Sequence, residues 1–397
     1  MRLEVKCVFK ALIISALMLL AGSHTVQAEH AGASALETHS SIEPQASLLT
    51  EVAEVQRYNR SIHIMVMLLG GFGFLMVFVK KYGLSAVTAT YLLVSTAIPL
   101  YMLIKSRGIF GEPGQVDIEK LILSEFAAAS LLICAGAVLG RLKMIQYIIL
   151  GLIFIPCYML NEWLVLERCL DGFVDTGGSI VIHAFGAFFG FGVLMTMTTP
   201  KEFDTPIESD SVSDRFSMLG SMLLWIFWPS FCAALVRPAM IPATAINVVL
   251  ALAGSTLATY FASVGLRGKV CIADIANAAL AGGVAIGSTC DITSPTIAFV
   301  IGVSAGGLST FGFAVIQTKL QKWIKGIDTC GVMYLHGLPG LLGGIAAVFV
   351  VKGVVSTQFA GIGIAVFIAL LAGFLAGKIL SLLGRRTAPY LDSEEIA

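Results

Sequence analysis

Asp175-Thr176-Gly177-Gly178-Ser179-Ile180-Val181-Ile182-His183 and Asp328-Thr329-Cys330-Gly331-Val332-Met333-Tyr334-Leu335-His336 carry Asp, Thr, Gly and His at identical offsets, 153 residues apart. Each stretch opens an apolar run long enough for a helix. Eight residues at 1.5 Å each set the His about 12 Å along its helix from the Asp. A motif repeated at the mouths of two apolar helices decides the fold if the helices run in opposite directions, and that depends on how many spans separate them.

The composition says that they are spans. Of 397 residues, 57% are hydrophobic and 13% are charged, with 25 basic residues against 25 acidic ones. Soluble domains carry about a quarter charged residues, and disordered chains and basic nucleic-acid binders carry more, so those classes drop out, nucleic-acid partners with them. An all-α polytopic membrane protein remains. Runs long enough to cross about 30 Å of hydrocarbon recur near 62–79, 83–104, 119–140, 144–166, 177–198, 215–236, 242–264, 270–289, 295–317, 329–351 and 357–382. The expectation is eleven transmembrane helices, with the repeated motif opening the fifth and the tenth. Five spans, an odd number, separate the two copies, so the halves have inverted topology: a 5+5 inverted repeat plus a C-terminal helix. Transporters and channels use this plan with the site near the midplane.

Residues 1–28 are expected to be a cleaved signal peptide. Arg2, Lys6 and Lys10 precede an apolar run from Ala11 to Gly22, and Val26-Gln27-Ala28 ends in a small-residue cleavage pattern. Residues 29–60 read as an extracytoplasmic lead-in with a short helical stretch, 61–384 as the channel domain and 385–397 as a short cytoplasmic tail. With the mature N-terminus outside, the inner loops hold Lys80, Lys81, Arg141, Lys143, Lys201, Arg215, Arg267, Lys269, Lys319, Lys322, Lys325, Lys378, Arg385 and Arg386. The outer ones hold Arg57, Arg60, Lys105, Arg107, Lys120, Arg168, Arg237 and Lys352. The excess lies inside, as the positive-inside rule requires of a protein in the cell (inner) membrane, and the C-terminus is then cytoplasmic.

Small residues four apart, Gly186 with Gly190, Gly302 with Gly306 and Gly340 with Gly344, let membrane helices approach closely. Eight cysteines without a Cys-x-x-Cys pair predict no metal site, and no cofactor motif appears. Cys169 and Cys290 fall in loops on the same outer side, which leaves a disulfide between them open.

A single His on an apolar helix is more often structural. Two at matched depth in an inverted repeat point to a pathway, because intramembrane ionisable groups are costly and line conduits. His183 and His336 are therefore the expected pore pair, whereas His63, at the start of the first span, has no counterpart. Asp328 reads as a helix N-cap, and Asp175 both as a cap and as a carboxylate favouring an approaching cation. Neutral imidazoles offer a donor and an acceptor each, which matches a small neutral solute. Glu125, Glu162 and Asp274 lie in or near spans and are not assigned to the pore. An intramembrane enzyme would need a His-x-x-x-His or paired-carboxylate motif, and neither is present.

The chain resembles a bacterial member of the ammonium transporter and Rhesus (Rh) glycoprotein family, on the Rh side. The resemblance covers most of 62–384 and rests on Gly177-Gly178-Ser179 through His183, Trp228-Pro229-Ser230-Phe231, Asn277 through Gly287, and Asp328-Thr329-Cys330-Gly331 through His336-Gly337. It implies a homotrimer with one pore per subunit that passes ammonia, with methylammonium and carbon dioxide as further candidates; a carbon dioxide channel of the same fold is the alternative. By the same resemblance His183 and His336 match the pore pair, Asp175 the vestibule carboxylate, and Phe126 and Phe231 the stacked rings of the outer gate, where spacing alone would read core packing. Cys232 stands where the family usually has Asn, and Leu235 where the ammonium transporter branch has a cation-binding Ser. Trp163, twelve residues before Asp175, occupies the place of a cation-contacting Trp in that branch, although helix packing is its stronger reading.

Overall fold

The computed structural model describes residues 42–112 and 117–397; the expected signal peptide and residues 29–41 lie outside the described residues. All regular elements among these residues are helices. Eleven are long: α1 Thr50–Phe78, α2 Gly83–Ser106, α3 Ile118–Ala137, α4 Met144–Arg168, α5 Ser179–Met197, α6 Ser211–Cys232, α7 Pro238–Arg267, α8 Ile272–Thr289, α9 Pro295–Ile324, α10 Met333–Val350 and α11 Val355–Leu382. Ten are long and apolar enough to cross a membrane. The other, α6, has the length but carries Ser211, Ser213, Asp214 and Arg215 in its first turns.

Apolarity alone does not set position in the bundle. About four fifths of the apolar window is buried in α3, α5 and α8 (83%, 78% and 78%), against 28% in α11. The first three are rich in Ala, Gly and Ser and form the centre; α11 turns Phe367, Leu371 and Leu375 outward, as a lipid-facing helix does. The small-residue pairs work at contacts. A Cβ on Gly302 would collide with the Ala251 carbonyl and one on Gly306 with that of Ser255, so α9 lies directly on α7.

One boundary differs from the sequence expectation. The helix of α1 begins at Ile42 and runs without a break through residue 60, because no Gly or Pro interrupts the chain from Ala46 to Leu69. Nor do residues 385–397 trail away. The Asp392 carboxylate accepts from the free N–H groups of Leu84 and Ser85 (3.3 and 2.7 Å), capping α2, and Glu395 accepts from Met144 N–H (3.1 Å), capping α4. Arg386 is buried between Glu394 and Glu395 (2.9 and 2.7 Å), with its guanidinium over the Tyr82 ring. Helix starts without their own side-chain caps leave donors that need acceptors, and the polar tail supplies them.

Candidate functional site

Five π-helical turns interrupt the described helices, and three of them carry rings that meet inside the bundle: Met67–Phe72 in α1, Ser179–Ala184 in α5 and Met333–Gly337 in α10. Such turns are rare and cluster at functional sites. Phe72, His183 and His336 sit on them, and their rings meet. His183 and His336 lie 5.3 Å apart by ring centroid, nearly coplanar at 10°, with Nδ1 to Nδ1 at 3.3 Å. Trp228 stacks beyond His183 at 5.6 Å and Phe72 beyond His336 at 6.2 Å. The result is a column of four rings with two imidazoles at its centre.

The segments before the histidines explain how two distant stretches arrive there. Gly178 and Gly331, each five residues before its His, have φ of 75° and 68°, a left-handed backbone that disfavours any side chain. Each permits a sharp entry, and the preceding Asp satisfies the exposed helix donors. Asp175 accepts from Ile180 and Val181 N–H (3.0 and 2.8 Å), and Asp328 from Val332 and Met333 N–H (2.9 and 3.0 Å). Both aspartates are buried and both cap. Asp175 also accepts from the Ser288 hydroxyl at 2.6 Å, Gly177 N–H donates to the Gly287 carbonyl, and Ser179 Oγ donates to the Val284 carbonyl. Thus α5 is pinned to α8. Ser130 of α3 donates to the Ile182 carbonyl at 2.7 Å, which helps fix the chain beside His183.

Phe126 and Phe231 meet at 4.7 Å with their planes at 52°, and Phe231 is 6.0 Å from His183. On the other side of the column lies a cavity of about 20 Å³, lined by His336, Phe72, Leu75, Met76, Ile133 and Asn277 among others. That volume holds about one water-sized molecule. The Nδ1–Nδ1 contact requires one nitrogen to carry the proton and the other a lone pair, so at least one of the two rings is neutral. His183 Nε2 is buried with no hydrogen-bond partner in the protein.

Other sequence-level candidates fall elsewhere. His63 shares a hydrogen bond with Ser230 and lies tilted against Phe227; Glu125 accepts from Ser61 and Glu162 from Tyr101, each at 2.6 Å; Asp274 is held by Arg267 and Ser263. Trp163 packs against Phe110 at 6.2 Å, in line with its packing reading. The disulfide left open between Cys169 and Cys290 is not formed. Cys169 is exposed beyond α4, whereas Cys290 is buried where the turn after α8 meets the end of α6, its thiol facing that of Cys232. Sequence reasoning assigned no role to Phe72, Trp228 or Ser288. Trp228 lay within the Trp-Pro-Ser-Phe motif; Phe72, one of 24 phenylalanines, carried no spacing signal.

A bundle of apolar spans with an inverted pair of Asp-capped, His-bearing segments meeting at its centre defines an α-helical membrane transport protein rather than a soluble enzyme or a binding module. The profile of the Ammonium Transporter Family matches residues 17–387, and the chain belongs to that family. It is 38% identical over 355 residues to the ammonium transporter Rh type A of Bos taurus, spanning 86% of this chain and 82% of that protein. Against the Rh type B of Homo sapiens it is 40% identical over 299 residues, 73% of this chain and 64% of that one. The solved structure of Rh50 from Nitrosomonas europaea, described with the Rhesus protein family of channels, is similar at 54% identity and a TM-score of 0.86, with 87% and 93% of the two chains covered. A sensor Amt protein shares the fold alone, at 18% identity and a TM-score of 0.72.

Proposed function

We propose that the protein is a channel that carries ammonia across the cell membrane as the neutral molecule. Ammonium releases its proton to solvent water at the outer mouth, above the Phe126–Phe231 gate and near Asp175, and ammonia passes the His183–His336 pair into the cavity beyond it. The observation that carries this reading is the hydrogen-bonded imidazole pair held between aromatic rings. Taking a bare cation into a low-dielectric interior costs of order 20 kcal/mol before compensation. Removing the ammonium proton at neutral pH costs roughly 3 kcal/mol, about two pH units at 1.36 kcal/mol each. The cheaper route is deprotonation. With the shared proton on one Nδ1, one imidazole presents a bare Nε2 and the other an Nε2–H, an acceptor and a donor for a solute that is itself donor and acceptor.

In this reading Phe126 and Phe231 form the outer gate, Asp175 is the vestibule carboxylate, Asp328 its symmetry-related cap, and 61–384 the channel domain. The mature N-terminus is extracytoplasmic, the C-terminus cytoplasmic, and three copies assemble with one pore each. Carbon dioxide, the alternative solute, has no proton to shed and gains little from a polar pair at the narrowest point; methylammonium is a bulkier substrate that the gate should slow. Proteoliposomes test the choice of solute. An inward ammonia gradient should alkalinise the lumen several times faster than in protein-free vesicles, while a carbon dioxide gradient in the same vesicles should acidify it at the protein-free rate. The opposite pattern would make the protein a carbon dioxide channel.

A further inference from the structure

The last turns of α9, Gln317–Ile324, end in a surface that the transport site does not use. Lys319, Lys322 and Trp323 stand at i, i+3 and i+4 and so share one face, with Lys325 just beyond at the helix end. All three lysines are exposed, and Trp323 is 82% exposed. Among the described residues none of these lysines forms an ion pair, and the carboxylate of Asp274, on neighbouring α8, is already occupied by Arg267. The other face is committed: Ile324 packs on the core, and Gln317 and Gln321 donate to the Asp328 carbonyl at 3.4 and 3.3 Å. Helix α7 runs parallel to α9, Gly302 lying on Ala251 and Gly306 on Ser255, so Arg267 and Lys269 emerge at the same side of the bundle.

We propose that this face binds the headgroup of an anionic phospholipid. Charge complementarity selects the anion, and position selects the lipid. A Trp beside lysines at the end of a spanning helix sits at headgroup level, where the indole rests among acyl carbons and the ammonium groups reach the phosphates. A free phosphate would gain nothing from an 82% exposed indole. The lipid would brace the helix that hydrogen-bonds the turn carrying Asp328. The proposal holds whatever solute the channel carries.

The test titrates full-length protein in detergent with phosphatidylglycerol or phosphatidylcholine of matched chains and counts bound lipids by native mass spectrometry. Each lysine near an anionic surface is worth roughly fivefold in affinity. The parent should favour phosphatidylglycerol, and Lys319→Gln/Lys322→Gln/Lys325→Gln should lower its affinity at least tenfold while leaving phosphatidylcholine unchanged; Trp323→Ala should weaken both lipids alike. Glycerol 1-phosphate should fail to compete. A preference for phosphatidylglycerol that survives the triple substitution would overturn the proposal, as would effective competition by glycerol 1-phosphate. A triple variant that keeps its lipids but loses subunits would assign the face to a second copy and overturn it equally. The substituted side chains are exposed, so the fold should persist, and an unchanged thermal transition checks that.

Discussion

The two Asp-to-His segments are copies of one device set in different electrostatic surroundings. Around Asp175 every hydrogen-bond donor is neutral: the Ser288 hydroxyl and the amides of Ile180 and Val181. Around Asp328 the amides are equivalent, but the buried guanidinium of Arg141 lies alongside, donating to the Ile327 and Ala137 carbonyls at 2.5 and 2.6 Å. One carboxylate therefore keeps its field, and the other has a cation next to it. The repeat preserves what folding demands, a cap and a left-handed glycine. It lets the electrostatic surroundings diverge.

The largest effect should come from removing the Asp175 carboxylate altogether. Asp175→Ala strips the acceptor from three buried donors, at about 1–3 kcal/mol for each left unsatisfied, and should cost most of the folded yield as well as the flux, read by detergent size profile and vesicle assay. Asp175→Asn keeps an acceptor and discards the charge. A unit charge about 10 Å from a cation at an effective dielectric of 20 is worth roughly 1.7 kcal/mol, so ammonium-driven flux should fall a little over tenfold with folding largely retained. Asp328→Asn should lower flux far less, because Arg141 already offsets that charge. Equal losses in the two Asn variants would remove the asymmetry from the account.

At the Phe126–Phe231 pair, Phe231→Ala opens one half of the ring contact, and methylammonium entry should rise several-fold relative to ammonia. A size cutoff unaltered by the substitution would reduce Phe231 to packing. The smallest effect belongs to the tail. Although partial burial raises the pKa of Glu394, hydrogen bonds from Thr387 and the Arg386 charge outweigh it and hold the carboxyl below its usual range. A depressed carboxylate stabilises fully above its unfolded pKa of about 4.3 and loses that contribution as pH falls through the folded value. Amide exchange at Thr387, whose N–H donates to Glu394, should therefore gain protection between acidic and neutral pH. Protection that is flat across that range would separate the tail's order from this carboxylate.

Much of this was legible in the sequence because membrane spans declare themselves by length and apolarity, and because an inverted repeat leaves matched offsets. The histidine pair followed from Asp175, His183, Asp328 and His336 alone, and the structure brings those two imidazoles into contact. What escaped depended on contacts between residues far apart in the chain. Phe72 reaches His336 only because α1 widens at Met67–Phe72, and nothing in Met-Leu-Leu-Gly-Gly-Phe announces a π turn. The tail read as a dozen polar residues, because its acceptors meet the starts of α2 and α4, some 300 and 250 positions away. The open question of Cys169 and Cys290 is settled by the same kind of distant contact, because Cys290 is buried against Cys232 of α6 while Cys169 is exposed beyond α4.

The claim that neutral ammonia crosses at the imidazole pair is tested most directly by stopped-flow recording of internal pH in proteoliposomes under an ammonium gradient, with membrane voltage clamped at zero, comparing the parent with His183→Ala and His336→Ala. The account predicts rapid alkalinisation in the parent, and in each variant either a rate lower by about tenfold, equivalent to 1.4 kcal/mol on the barrier, or a loss of discrimination, seen as charge moving with the nitrogen. Parent-like rates and parent-like selectivity in both variants would contradict it.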